Sequence, residues 1–393
     1  VHLFLVTSLD ALSRNSAASS LAKALPGTPV VLHDLLDDGV VTRRVHRDER
    51  LVEQEMSVLE HGCLSCTVRL DLAPTLLGLA AAGSTRAIVG LPPGTTAENA
   101  IDGLETVAPG AFIIDTVALA TRPDDVEDQL WDHHTLFESG YTAVPEDHRT
   151  PGEFLIGEFL FADTILAATS NLLPPDPDAL ARGIQLIGEL APHARLVPAF
   201  TTVSITDLGP YDDAAARARS LPGTVLTPPQ APRPPSPTSP VQGPAPVPEA
   251  VSGASSTTAP VFRTSEHRID RPLHPDRFRT ALGAISEGCC FVRGSVWIAG
   301  LPDARIAVHG VGPRIALANG GTWSNAAHHG EWCRGTHLAL TGDDIDDADI
   351  INLLDACALT DQELRTMPKQ YATGTGTGTN HQQHHVSPIE GAS

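Results

Sequence analysis

Val1-His2-Leu3-Phe4-Leu5-Val6-Thr7-Ser8-Leu9-Asp10-Ala11-Leu12-Ser13-Arg14-Asn15-Ser16 opens the chain. Its apolar run is the length of a buried strand, and a polar turn leads from it into a helical pattern at Ser16 to Leu25. Further strands are predicted at Val30 to Leu35, Val40 to Val45, Ala87 to Leu91, Phe112 to Thr116, Thr164 to Ala168 and Leu196 to Ala199. Between them lie helical patterns at Val68 to Ala82, Ala97 to Val107, Glu153 to Phe161 and Asp178 to Leu190. Such alternation implies a mostly parallel sheet covered on both faces, with ligand loops at the carboxyl ends of its strands. The turn after the first strand is where a phosphate-binding loop would sit. That loop needs glycines so that backbone NH groups can crowd the phosphates, and a lysine for the outer phosphates. Here no glycine precedes Gly27, Lys23 falls well inside the helix, and Asp10 would repel phosphate.

The 393 residues suggest two domains, and between Leu226 and Pro260 the sequence collapses into Pro, Ala, Ser, Thr and Gly. A segment of that composition cannot bury apolar surface and serves as a semi-rigid spacer. Downstream, Arg271 to Phe278 opens a helix, Cys290 to Ala299 alternates as a strand, and Ala348 to Cys357 closes a small α+β domain. From Pro368 onward, Gly-Thr repeats and His381, His384 and His385 read as a disordered tail. The formal charge of -21 argues against general nucleic-acid affinity. The opening run is too short and lacks the basic start of a signal peptide, and no stretch approaches the ~20 apolar residues of a membrane span. Six cysteines in this length make no disulfide framework, so a reducing cytoplasm is expected.

Glu60-His61-Gly62-Cys63-Leu64-Ser65-Cys66-Thr67 carries the clearest chemistry. Two thiols three positions apart supply half of a four-ligand zinc site or one disulfide. Cys63, Cys66 and His61 are the candidate metal ligands, with Glu60, His133 and His134 as further donors if folding brings them near. A helix beginning near Thr67 favours thiolate, which serves metal binding and disulfide exchange alike; ordinary thiols without function are the third reading. His328-His329 are weaker donors, the Asp343 to Asp347 acids suit a helix N-terminus, and Cys289-Cys290 suit a core.

The cysteine segment resembles the Gly-Cys-x-Cys-Cys run of CobW-type proteins, P-loop GTPases and metallochaperones, with Ser65 in place of the middle cysteine. Phe161-Ala162-Asp163-Thr164-Ile165-Leu166 resembles that family's strand into its guanine-reading Asn-Lys-x-Asp, where this chain has Ala168-Thr169-Ser170-Asn171. Gly94 is similar to the switch-region glycine and Asp115 to another strand end. Arg271-Pro272-Leu273-His274-Pro275, Arg293-Gly294-Ser295-Val296-Trp297 and Leu354 to Glu363 resemble the CobW C-terminal domain. The resemblance implies a degenerate P-loop-NTPase-like CobW domain over residues 1–222, a Pro-rich linker over 223–260, a CobW C-terminal domain over 261–366 and a tail over 367–393. It further implies zinc as the metal, while the missing phosphate loop and guanine-reading residues depart from that GTPase family and leave no competent GTP site and no catalytic residue to name. The Gly-Cys-x-Ser-Cys-Thr form without a phosphate loop resembles actinobacterial zinc-response factors, which implies recruitment of a ribosome hibernation factor to ribosomes when zinc is scarce. The alternatives are a zinc metallochaperone serving a client protein, and a thiol oxidoreductase.

Overall fold

A computed structural model describes residues 1–59, 63–169, 175–199, 203–226, 260–323 and 334–366. The first unit contains β1 (His2–Thr7), α1 (Ala11–Ala24), β2 (Val30–Leu35), β3 (Val40–Arg47), β4 (Arg50–Val58), α2 (Leu64–Thr67), α3 (Ala73–Ala81), β5 (Arg86–Gly90) and α4 (Ala97–Val107). It continues through β6 (Ile113–Thr121), α5 (Pro123–Trp131), α6 (Pro151–Phe161), β7 (Thr164–Ala167), α7 (Pro177–Leu190), β8 (Arg195–Pro198) and α8 (Asp213–Ser220). The second unit holds β9 (Arg263–Ile269), α9 (Pro275–Ile285), β10 (Cys289–Val296), β11 (Ala304–Val311), β12 (Arg314–Thr322), β13 (Thr336–Gly342), α10 (Asp347–Cys357) and α11 (Asp361–Thr366).

The first sheet runs β4-β3-β2-β5-β1-β6-β7-β8. Its strands from β2 to β8 pair in parallel, and β3 and β4 add an antiparallel ribbon at one edge. This is the mostly parallel α/β sheet with flanking helices expected from the sequence. Alternate residues of β1 serve opposite faces: Leu3 and Leu5 enter one core, Phe4 and Val6 the other. Burial on both faces is why β1 is apolar throughout. From β1 the chain continues to β2 on one side of the sheet and from the adjacent β6 it continues to β7 on the other, so a crevice opens at the carboxyl ends of β1 and β6.

The second sheet is antiparallel, in the order β12-β11-β10-β13-β9. One face packs on α9 and α10 through Phe278, Leu282, Ile350 and Leu354. From the other, Cys290, Phe291 and Val311 join the core of the first unit. Two buried arginines reinforce this docking. Arg293 donates to the carbonyls of Arg219 and Leu221, and Arg305 to that of Pro222, while Ser295 donates to Gly223. Across the same boundary, the Val261 NH donates to Gln185 Oε1 at 2.9 Å, and Phe262 sits in the first core beneath the Arg182 guanidinium.

A π-helical turn, Val68–Leu72, joins α2 to α3. Pro74, at the start of α3, has no NH to give to the preceding turn, which explains why the α ladder is broken there. The run Leu64–Ala81 is 18 residues long with a mean hydropathy of 1.3, enough by length and composition for a span, which the sequence reading missed. Its Val68, Leu72, Ala73 and Leu76 are buried against the sheet, as for a core-covering helix.

Candidate metal-binding site

Cys63 is the N-cap of α2, extended at φ -100 and ψ 150, and its Sγ accepts the Cys66 NH at 3.0 Å. The cap turns the chain so that both sulfurs emerge together. They are joined as a disulfide with Cα atoms 5.1 Å apart. A tetrahedral zinc ion would hold two thiolates about 3.8 Å apart, a spacing that the same backbone admits after reduction. The pair lies at the crevice. Leu64 Cδ1 stands 4.0 Å from where a Cβ on Gly94 would lie; the Gly94 NH donates to the Ser8 carbonyl at 3.1 Å and its carbonyl accepts from Arg149 at 2.8 Å. Gly94 has φ +77, a conformation few other residues adopt readily.

Behind the pair, the helix is anchored through Asp71. Its carboxylate lies 2.7 Å from buried His33 Nε2 and 2.9 Å from the Arg43 guanidinium. Burial alone would raise the Asp71 carboxyl, but hydrogen bonds from His33 and Arg43 hold it below its ordinary value.

The turn between β1 and α1 is closed on itself. Asp10 caps α1, accepting the Ser13 NH at 2.8 Å where a phosphate oxygen would bind at a helix N-terminus. Arg14 is fully buried and donates to Asp34 at 2.7 Å, to the Leu91 carbonyl at 3.0 Å and to the His33 carbonyl. Burial lowers its guanidinium below the ordinary value, and Asp34 opposes that shift. The sequence reading sought glycines and missed a positional signal. The interval from Ser8 through Ser13 to Arg14 is that of the two glycines and lysine in G-x-x-x-x-G-K-[ST]. Beside this turn a cleft of about 1000 Å³ is lined by Leu9, Asp10, Asp34, Met56, Phe137 and Tyr141, among others.

Of the other donors named from sequence, Glu60 and His61 lie outside the described residues, as do Ser170, Asn171, His328, His329, Cys333 and the tail histidines. The same holds for residues 227–259 of the linker and for the tail from residue 367. His133 and His134 converge with Asp132. Cys289 and Cys290 are buried, each thiol pushed up by burial, to about 11 and about 12. Asp346 caps α10 through the NH groups of Ala348 and Asp349, so the acidic run does serve a helix start.

The fold and crevice define a two-unit protein with an α/β domain docked on an antiparallel sheet. Residues 262–358 match the family described as cobalamin synthesis protein cobW C-terminal domain. Over 373 residues, 86% of this chain and 83% of each relative, the chain is 28% identical to a zinc chaperone of Mycobacterium tuberculosis and to an uncharacterized protein of Mycobacterium bovis. Zn(II)-bound YjiA GTPase from E. coli is similar at 13% identity and a TM-score of 0.35, covering 91% of this chain and 99% of that one. The second unit is thus a CobW C-terminal domain.

Proposed function

We propose that this protein is a CobW-type zinc metallochaperone that carries the ion on Cys63 and Cys66 and does not use GTP. The observation that carries the reading is the meeting of the two sulfurs at the start of α2, beside the crevice where α/β proteins bind ligands. Two thiolates leave half of a tetrahedral shell to water or a client, which suits transfer better than storage. The zinc chaperone of M. tuberculosis, similar over most of both chains, supports delivery to a client protein over recruitment of a ribosome hibernation factor. The oxidised pair holds no metal, so a reducing cytoplasm keeps the carrier open.

GTP does not fit the residues present. The anion position at the head of α1 is taken by Asp10, and Arg14 is committed to Asp34 and two carbonyls instead of reaching toward a ligand. Binding a triphosphate would need Asp10 displaced and its charge removed.

Cobalt(II) titration of the reduced protein tests the metal reading. Expected is sulfur-to-cobalt charge-transfer absorbance that falls away in Cys63→Ser and in Cys66→Ser; its persistence in both variants would refute the assignment. Zinc lost from the loaded protein to an apo client would support transfer. For nucleotide, no saturable GTP binding is expected at micromolar concentrations, and tight magnesium-dependent binding would overturn that part of the proposal.

A further inference from the structure

Asp132 ends α5, and His133 and His134 follow it directly. One ligand atom from each of the three lies within 4.8 Å of the others. The histidine rings are 4.1 Å apart at their centroids. Asp132 Oδ1 accepts the His134 NH at 2.9 Å and lies 2.8 Å from His134 Nδ1, while Oδ2 accepts the Ser139 hydroxyl at 2.6 Å. Arg314 of β12 donates to the His133 carbonyl at 3.1 Å, so the backbone here is held from the second unit.

We propose that Asp132, His133 and His134 form a second metal site, of the two-histidine, one-carboxylate kind, for zinc or a similar borderline divalent cation. Imidazoles select such cations over magnesium or calcium, which prefer all-oxygen shells. Donors around a tetrahedral zinc stand about 3.4 Å apart, given metal–ligand distances near 2.1 Å. Closing the cluster to that spacing asks the two exposed rings to rotate and the Asp132–His134 side-chain hydrogen bond to open. On ligation that bond gives way so that Oδ1 and the ring nitrogens face the ion, while Ser139, bonded to Oδ2, orients the carboxylate as a supporting partner.

The site has a structural reach. The chain running on from it supplies Phe137 and Tyr141 to the cleft wall, and Leu136 and Leu64 flank Gly94, 3.6 Å and 4.0 Å from where a Cβ there would stand. An ion here would pin that wall one contact away from Cys63. The proposal stands whether or not the cysteines carry zinc.

The test uses the full chain with Cys63→Ser and Cys66→Ser, titrated with Co(II) and Zn(II). Expected is a non-sulfur site, visible as cobalt absorbance without the charge-transfer band, whose affinity falls at least tenfold on adding His133→Ala and His134→Ala. The remaining histidines are common to both proteins and cancel in the comparison. His134→Gln alone retains a hydrogen-bonding group toward Asp132 but offers no imidazole, so it must weaken binding too, which separates ligation from disturbed folding. Identical isotherms before and after these changes would overturn the proposal. Failure of the cysteine reading looks different: no charge-transfer band in the unmodified protein.

Discussion

Glu158 is enclosed in the first core at 1% exposure, where its carboxyl accepts the Ala97 NH at the head of α4. Burial pushes its pKa from 4.5 up to about 7. Between those values the folded chain keeps a proton that the unfolded chain has released, so this group makes stability fall as pH rises from about 4.5 to about 7. Glu158→Gln removes the charge. Relative to the unmodified protein it should gain as much as about 3 kcal/mol at pH 8 and little at pH 4, read from denaturant unfolding at both values. A difference that stays constant with pH would show that burial leaves the Glu158 carboxyl unshifted. Arg14 presents the opposite case, a buried ion kept because Asp34 and two carbonyls satisfy it. Neither residue stood out in the sequence, because a lone Arg or Glu in a helical pattern reads as solvated until the fold encloses it.

At the scale of elements, helix contacts depend on small residues that periodicity alone does not single out. Gly183 of α7 crosses α5 so closely that an added Cβ would stand 1.7 Å from the Pro123 carbonyl oxygen. Gly183→Ala should therefore cost about 3 kcal/mol or more, measurable as a lower denaturation midpoint; an unchanged midpoint would mean that the two helices slide apart freely. Much of the framework was legible. Ala97–Val107 was placed to the residue, and β1, β2, β7 and α10 within one, because their apolar periods are uninterrupted. The helix after β1 was read five residues late: Ala11 to Asn15 is polar on the side facing the crevice turn, and Asp10 was read as a repellent charge when it is the N-cap. The strand β4 escaped notice because it is an edge strand, exposed along nearly its whole length, so no buried face imposed alternation. In the site, spacing revealed the cysteine pair, which is local. The joining of Asp132 to Ser139 and the anchoring of Asp71 on His33 depend on chain reversals that no local pattern encodes.

For the molecule as a whole, the two units are joined by shared core side chains and by hydrogen bonds to backbone carbonyls. Gly152 at the start of α6 admits Val311, and a Cβ there would meet it at 2.8 Å and the Leu130 carbonyl at 2.9 Å. Gly152→Leu should separate the units, costing about 1–3 kcal/mol and speeding proteolysis between residues 226 and 260; cleavage at the original rate would show that the docking tolerates the wedge. The arginine clasp on residues 219–223 also governs the proline-rich stretch beyond it. One end of that stretch is fixed at Gly223 by Ser295, and the other is fixed at Val261 and Phe262 by Gln185 and the first core. Because Gly223 and Val261 are both held where the units dock, any chain that joins them closes a loop, and the separation of its ends is set by the docking. The entropy of closing such a loop rises only logarithmically, about 0.6 kcal/mol for each doubling of its length. Its length and composition are therefore nearly free to drift, while the docking of the two units stays where the clasp puts it.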